Sequence, residues 1–99
     1  MKTEYLIAIT DFCSNHNVEI SFITSLQRSG LIEITVVEEN YFIEPDQLAQ
    51  LEKFTRLFYE MDINVEGIET IAHLLQRMND MHEELTTLRN RLRFYELGE

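Results

Sequence analysis

The sequence predicts a mainly α-helical protein: a winged helix-turn-helix with a small β-hairpin wing, followed by a long C-terminal coiled-coil helix. Two short amphipathic segments, at about residues 10–16 and 19–28, are separated by a tight polar turn, as in a helix-turn-helix. A β-branched run over residues 32–37 and a second strand over 41–43 flank the polar segment Glu38-Glu39-Asn40, as in a hairpin. A heptad pattern then fills the C-terminal third of the chain.

The first helix is predicted from a short apolar segment and a capping residue. Tyr5 to Ala8 is apolar, and we interpret it as a strand that leads into the helix. Thr10 is a favourable N-cap residue, and Asp11 would then lie in the first helical turn. We expect this helix to run to about His16 and to end in a turn.

The second helix is predicted to begin near Glu19. Its apolar residues recur at spacings of three, which places Ile20, Ile23 and Leu26 on one face. Gly30 is expected to end the helix, because glycine readily adopts the left-handed conformation found at many helix C-termini.

A third helix is predicted to open at Glu44-Pro45-Asp46, where proline lies near the first turn. Its expected apolar face consists of Leu48, Leu51, Phe54, Phe58 and Met61. The segment Asp62-Ile63-Asn64 breaks this helix, and Asn64 is predicted to cap a fourth helix over residues 65–97.

The clearest periodic signal lies in the fourth helix. Apolar residues are separated alternately by three and four positions, the spacing of the a and d positions of a coiled coil. They are Ile71, Leu74, Met78, Met81, Leu85, Leu88, Leu92 and Tyr95, called here the seam. At about 1.5 Å per residue the seam is about 36 Å long, more than a domain of this size covers. We therefore predict a winged-helix unit over residues 1–70 and a homodimerisation helix over 71–99; burial within one chain is the alternative.

The charged residues that flank the seam leave the strand orientation of the dimer open. A parallel pair would match Glu84 with Arg89 and Arg91 with Glu96 across the interface. An antiparallel pair staggered around residues 87–88 would match Glu84 with Arg91 instead. Each exposed pair contributes only about 0.2–1 kcal/mol, so the charges alone do not choose between the two.

Negative charge is concentrated in the N-terminal part of the chain. The protein has 18 acidic and eight basic residues, a net charge of −10. Residues 1–70 contain 13 of the acids and four of the bases, a net of −9, and Arg28 is the only Lys or Arg between Lys2 and Lys53. Such a surface repels phosphate and lacks the cations that DNA binding needs, so DNA is disfavoured as a partner. Solubility alone would also explain an acidic surface.

The residue inventory argues against an enzyme, and it indicates no catalytic residue, cofactor or metal. The three glycines are far apart, so no phosphate-binding loop is present. Cys13 and His16 are the only thiol and imidazole close in sequence, and they would make at most half a metal site. A single cysteine fits a reducing cytoplasm. The chain has no run of about 18 apolar residues that would span a membrane, and its N-terminus does not resemble a secretory signal.

The order of strand, helix-turn-helix, wing, helix and long helix resembles the MerR-like winged-helix group. The matching segments are Ile9–Cys13, Gly30–Ile32, Tyr41-Phe42, Asp46–Leu48 and Asp62–Ile68. DNA-binding members of this group usually carry an Arg-Tyr pair in the recognition helix and Tyr-Arg-Arg in the wing. The equivalents here lie near Gln27-Arg28 and at Tyr41–Ile43, so the wing arginines are absent.

Within this group the chain is similar, over nearly its whole length, to the CbpM-like chaperone modulators. The similarity rests on compact size, acidic balance, Phe12-Cys13 in the first helix and the Leu/Arg-rich segment Leu88–Arg93. It implies that the chain binds the J-domain of a DnaJ/CbpA-type co-chaperone and inhibits the action of that co-chaperone with Hsp70. J-domains typically present a basic helix to Hsp70, so an acidic competitor would occlude it.

The expected contact surface is an acidic, partly apolar face of the third and fourth helices. We assign to it Glu52, Phe58, Tyr59, Glu60, Asp62, Glu66 and Glu69, with Phe58 or Tyr59 as the anchor. Two other functions stay open. The chain would be a MerR-type DNA-binding transcriptional regulator if its cations came from a partner or from Arg89, Arg91 and Arg93, or it would be a purely structural dimerisation module.

Overall fold

The computed structural model describes residues 5–97, which form a mainly helical structure with one small antiparallel sheet and a long C-terminal helix. The predicted fold class is confirmed. The chain consists of two compact units, with the boundary between Glu69 and Thr70. The elements are β1 (Ile7–Ala8), α1 (Ile9–His16), α2 (Ile20–Arg28), β2 (Thr35–Val37), β3 (Asn40–Ile43), a 3-10 helix (Pro45–Gln47), α3 (Leu48–Tyr59) and α4 (Val65–Leu97).

Helices α1 and α2 are joined by a tight turn, as a helix-turn-helix requires. Asn17 follows α1 in the left-handed conformation (φ 57°), which asparagine tolerates better than most residues. At the end of α2, Gly30 has a φ of +80°. The N–H of Gly30 bonds to the carbonyl of Gln27, and the N–H of Leu31 bonds to that of Leu26. These two bonds form a Schellman motif, so the predicted glycine stop is confirmed.

Two details of these helices differ from the prediction. Ala8, and not Thr10, occupies the N-cap position of α1, because β1 passes directly into the helix at the buried residue Ile9. In α2, Ile20 was predicted on the buried face but is 49% exposed. Phe22 is buried instead, because its ring packs against Phe58 of α3 with the centroids 4.4 Å apart.

The predicted hairpin is part of a three-stranded sheet with the order β1-β3-β2. Val37 pairs with Asn40 across a two-residue turn, whose residues Glu38 and Glu39 both have positive φ, 51° and 68°. Positive φ at both positions is the geometry of a type I′ turn, which matches the twist of the strands without requiring glycine. The segment β1 adds a third strand, with Ile7 opposite Ile43.

Strand β2 is shorter than predicted, since it starts at Thr35 and not at Ile32. The backbone of Glu33 bonds to a side chain instead of to a strand. Its N–H donates to Oε1 of Gln47 at 2.7 Å, and its carbonyl accepts from Nε2 of Gln47 at 2.9 Å. The Gln47 amide therefore replaces a strand neighbour at this residue.

The core of the first unit joins the sheet to the helices through apolar side chains alone: among the described residues, no polar or charged side chain is buried. The most deeply buried side chains are Ile23, Leu26, Ile43, Leu51, Phe54 and Ile68. Ile68 anchors the first turns of α4 in this core. Met61, predicted on the apolar face of α3, is exposed because α3 ends at Tyr59.

Helix α4 begins where the sequence predicts. The Oδ1 of Asn64 accepts a hydrogen bond from the N–H of Gly67 at 2.8 Å, which is the bond between an N-cap and the third helical residue. The helix then continues without interruption to Leu97.

Candidate functional site

The surface formed by α2 and the hairpin would face DNA in a winged helix-turn-helix, and here it is poor in cations. Arg28, in the last turn of α2, is the only Lys or Arg in the chain between Lys2 and Lys53. The tip of the hairpin carries Glu38 and Glu39, at positions where DNA-binding wings have Lys or Arg side chains that contact phosphate. The hairpin tip therefore repels a phosphate backbone, and α2 has a single cation to bind one.

A depression of about 320 Å³ lies between α2, the end of α3 and the start of α4. We call it the Tyr59 depression. Its lining residues from α2 and its N-cap are Glu19, Ser21, Phe22 and Ser25. Those from the other two elements and the turn between them are Phe58, Tyr59, Asn64, Val65 and Glu66. The depression thus combines aromatic rings with two carboxylates.

Three aromatic rings that line the Tyr59 depression contact one another. The ring of Phe22 lies 4.4 Å from that of Phe58 and 5.5 Å from that of Tyr59, centroid to centroid. The rings of Phe58 and Tyr59 meet edge to face at 4.9 Å. Such tilted and edge-on contacts are the favourable geometries for aromatic pairs. Phe22 is buried and Phe58 is half-buried, whereas Tyr59 is exposed, so Tyr59 presents the accessible ring.

The structure brings together three of the seven residues predicted to bind a partner. Phe58, Tyr59 and Glu66 line the Tyr59 depression. Glu52 lies two turns earlier on α3, with its carboxylate 3.5 Å from Nε2 of His16. The remaining three, Glu60, Asp62 and Glu69, are exposed but do not line the depression.

Sequence reasoning missed the contribution of α2 to this site. Glu19 and Phe22 line the depression, yet they precede Tyr59 by 40 and 37 residues. The sequence carried one usable signal, which is the apolar pattern Phe22, Ile23 and Leu26. That pattern places Phe22 on the buried face of α2 and so beside whatever packs against this helix.

The seam on α4 is exposed over most of its length. From Leu74 to Tyr95, each of its residues is between 47% and 73% exposed, and only Ile71 is less so. The seam residues from Leu74 to Tyr95 thus form an uncovered apolar stripe along α4. A continuous apolar stripe of this kind is uncommon on the surface of an isolated protein and marks an interaction surface.

The contacts of Cys13 and His16 are those of residues that pack within the fold. The ring of His16 stacks on Phe12 at 4.1 Å, and its Nδ1 lies 3.2 Å from the Phe12 carbonyl oxygen. Burial raises the pKa of the Cys13 thiol above its usual value, which disfavours the reactive thiolate. Among residues 5–97, no three His, Cys, Asp or Glu side chains are grouped as metal ligands.

The hairpin on a helix-turn-helix, followed by a long helix, defines this chain as a winged helix-turn-helix protein of the regulatory type. Residues 7–90 match the family described as MerR HTH family regulatory protein. Because the match covers most of the 99 residues, the chain belongs to this family. Comparison of the chain with the curated proteins and with the solved structures found no match. Within residues 5–97, none of the helices has the length and apolar character needed to cross a bilayer.

Proposed function

We propose that this protein is a CbpM-like chaperone modulator that binds the J-domain of a DnaJ/CbpA-type co-chaperone and inhibits its action with Hsp70 in the cytoplasm. The observation that carries the proposal is the acidic, cation-poor surface of a fold that ordinarily binds DNA. Glu38 and Glu39 at the hairpin tip repel phosphate and attract a positively charged protein surface. Arg28 is the single cation of α2 and offers little to offset them.

The proposed contact is centred on the Tyr59 depression. Tyr59 offers an exposed aromatic ring beside the carboxylates of Glu19 and Glu66. Tyrosine is among the residues that contribute most to protein interfaces, because it buries a large ring at low entropic cost. Glu60 and Asp62 extend the negative charge from the end of α3 into the following turn. A basic helix seated there would be unavailable to Hsp70, so the proposed mechanism is steric and electrostatic occlusion without catalysis.

The proposed assembly is a homodimer joined through the exposed seam of α4. Alternate spacing by three and four residues suits knobs-into-holes packing against a second copy. In such a dimer each copy would carry its own Tyr59 depression, so one assembly would hold two J-domains.

The experiment that tests the proposal is calorimetric titration of the full chain with a purified DnaJ-type J-domain at moderate salt. The variant Glu60→Lys with Asp62→Asn should weaken binding at least tenfold. Asparagine is chosen at position 62 because Asp62 has a φ of 57°, a conformation that lysine adopts at greater cost. The control Glu33→Lys with Asp46→Asn makes the same charge change at two other exposed residues of the first unit.

The competing function, a MerR-type DNA-binding transcriptional regulator, is supported by membership of the family. It predicts duplex binding that weakens steeply with salt and depends on Arg89, Arg91 and Arg93. A pull-down with the tagged chain from native lysate separates the two. Recovery of RNA polymerase or DNA without a co-chaperone would favour the regulator, and recovery of a J-domain protein would favour the modulator. Recovery of neither would favour the third function, a purely structural dimerisation module.

A further inference from the structure

A second concave surface lies between α2 and the hairpin. It is a groove of about 550 Å³, lined by the start of α1, by α2 and by both strands of the hairpin. We call it the hairpin groove. Its walls carry Ile20 from α2, Val36 from β2 and Tyr41 from β3, which are 49–60% exposed. Three accessible apolar side chains therefore converge on one groove.

The groove is poorly suited to reading bases. The hydroxyl of Thr24, which lies on its α2 wall, donates to the carbonyl of Ile20 at 3.1 Å. That donor bonds to its own helix, so the wall presents mainly the apolar part of threonine. Among the lining residues Gln27 and Glu39 are the long polar side chains, and none is a Lys or Arg. Base readout requires paired donors and acceptors, together with cations for the phosphates.

Charge selects the kind of protein that fits. Glu39 lines the groove and Glu38 precedes it at the hairpin tip, so the part of the groove beside the tip carries negative charge. Negative charge at the hairpin-tip end of an apolar groove complements a segment that has apolar side chains on one face and Lys or Arg on the other.

We propose that the hairpin groove binds the apolar face of a positively charged amphipathic helix of a partner protein. A partner that bound as an added β-strand would fit less well, because the free edge of β2 is only three residues long. The backbone N–H and carbonyl of Glu33, which precedes β2, already bond to the side chain of Gln47. The groove belongs to the α2 and hairpin surface that meets DNA in a winged helix-turn-helix, and here none of its lining residues is a Lys or Arg. The inference rests on the proposed function only in taking the partner to be a protein.

The test is an NMR titration of the full, isotope-labelled chain with a synthetic helical peptide of Leu and Lys. A peptide of the same composition but scrambled order, which has no apolar face, is the control for plain charge attraction. The amphipathic peptide should shift the amide signals of Ile20, Thr24, Val36 and Tyr41 and should bind at least tenfold more tightly than the scrambled one.

Variants of equal charge isolate the apolar contact. Ile20→Ser with Val36→Thr should weaken binding of the amphipathic peptide at least tenfold, whereas Met61→Ser, at an exposed methionine after α3, should leave it unchanged. Threonine keeps the strand preference of position 36, and circular dichroism checks that both variants fold. The proposal is overturned if the shifts fall on the Tyr59 depression or on α4, or if the groove variant binds as tightly as the wild type.

Two further outcomes would also overturn it. Concentration-dependent shifts at Ile20 and Val36 without peptide would mean that a second copy of the chain fills the groove. Shifts at the same residues with duplex DNA would mean that the groove reads nucleic acid. If the J-domain does not bind but the amphipathic peptide does, the proposed function is wrong and this inference stands. If the J-domain binds but the peptide does not, this inference is wrong and the proposed function stands.

Discussion

The backbone N–H of Glu19 donates a hydrogen bond to the hydroxyl of Tyr59, with the nitrogen and oxygen 3.1 Å apart. The bond joins the N-cap of α2 to the last residue of α3. The N–H of an N-cap lies at a helix end where backbone donors need partners from outside the helix. The side chain that we propose as the anchor for a J-domain therefore also holds two helices together.

Tyr59→Phe removes the acceptor and keeps the ring. We expect the free energy of unfolding to fall by about 0.5–1.5 kcal/mol, towards the lower end because water can replace the bond at this exposed site. Urea denaturation followed by circular dichroism measures the change. Tyr41→Phe, which removes a hydroxyl from an exposed ring on the hairpin, is the control. An equal loss in both variants would show that the bond from Glu19 is not the cause.

The hairpin turn offers a stabilising substitution. Glu38 and Glu39 both adopt positive φ, which costs a residue with a side chain about 1–2 kcal/mol. Glu38→Asn with Glu39→Gly supplies the residues preferred in a type I′ turn. We expect the free energy of unfolding to rise by about 1 kcal/mol and the melting temperature by about 4–8 °C.

The matched control for the turn is Glu38→Gln with Glu39→Gln. It removes the same two charges but leaves the left-handed backbone in place. Thermal melts of both variants therefore separate relief of backbone strain from relief of charge repulsion. Equal stabilisation of the two would assign the effect to charge.

Asn64 provides a separate test at the start of α4. Asn64→Ala removes the oxygen that accepts from the N–H of Gly67, and loss of such a cap costs about 0.5–2 kcal/mol. Asn64→Ser keeps a capping oxygen and should restore most of the loss. Chemical denaturation of the three proteins gives the comparison, and a serine variant as unstable as the alanine one would contradict the capping role.

Sequence periodicity predicted the elements well where the pattern was local. The span of α4, its cap at Asn64 and the stop at Gly30 all depend on residues within a few positions of one another, and all three match the structure. The resemblance to the MerR-like group likewise placed the chain in a family that the match over residues 7–90 confirms.

Features that depend on distant residues were not predictable in the same way. Strand β2 is shortened by Gln47, which bonds to the backbone of Glu33 from 14 residues away. Ile20 is exposed because the packing of Phe22 against α3 sets the rotation of α2. The spacing of neighbouring residues predicts neither the start of β2 nor the exposure of Ile20, because each depends on tertiary contacts between distant elements.

Charge on the seam should disrupt the proposed dimer. Leu85 and Leu88 are about half exposed in the single chain, so Leu85→Asp with Leu88→Asp should leave the first unit folded. In a dimer the same change would bury carboxylates against an apolar partner, which is strongly unfavourable. We expect a dimer for the wild type and a monomer for the variant by sedimentation at tens of micromolar.

The control for this experiment is Thr86→Asp with Asn90→Asp. It adds two carboxylates to α4 at positions outside the heptad seam, so the dimer should persist. A wild-type chain that is already monomeric at tens of micromolar would contradict the dimer proposal, as would a control that dissociates as completely as the seam variant.

The uncovered seam also has a consequence for the life of the protein in the cell. On the dimer proposal, a newly made chain displays its apolar stripe until it meets a second copy. Proteases and general chaperones recognise such stripes, so unpaired chains would be removed or held back while paired ones would survive. At low expression the steady concentration of the dimer would then depend on the square of the synthesis rate of the chain. A modest change in transcription would produce a larger change in the amount of dimer.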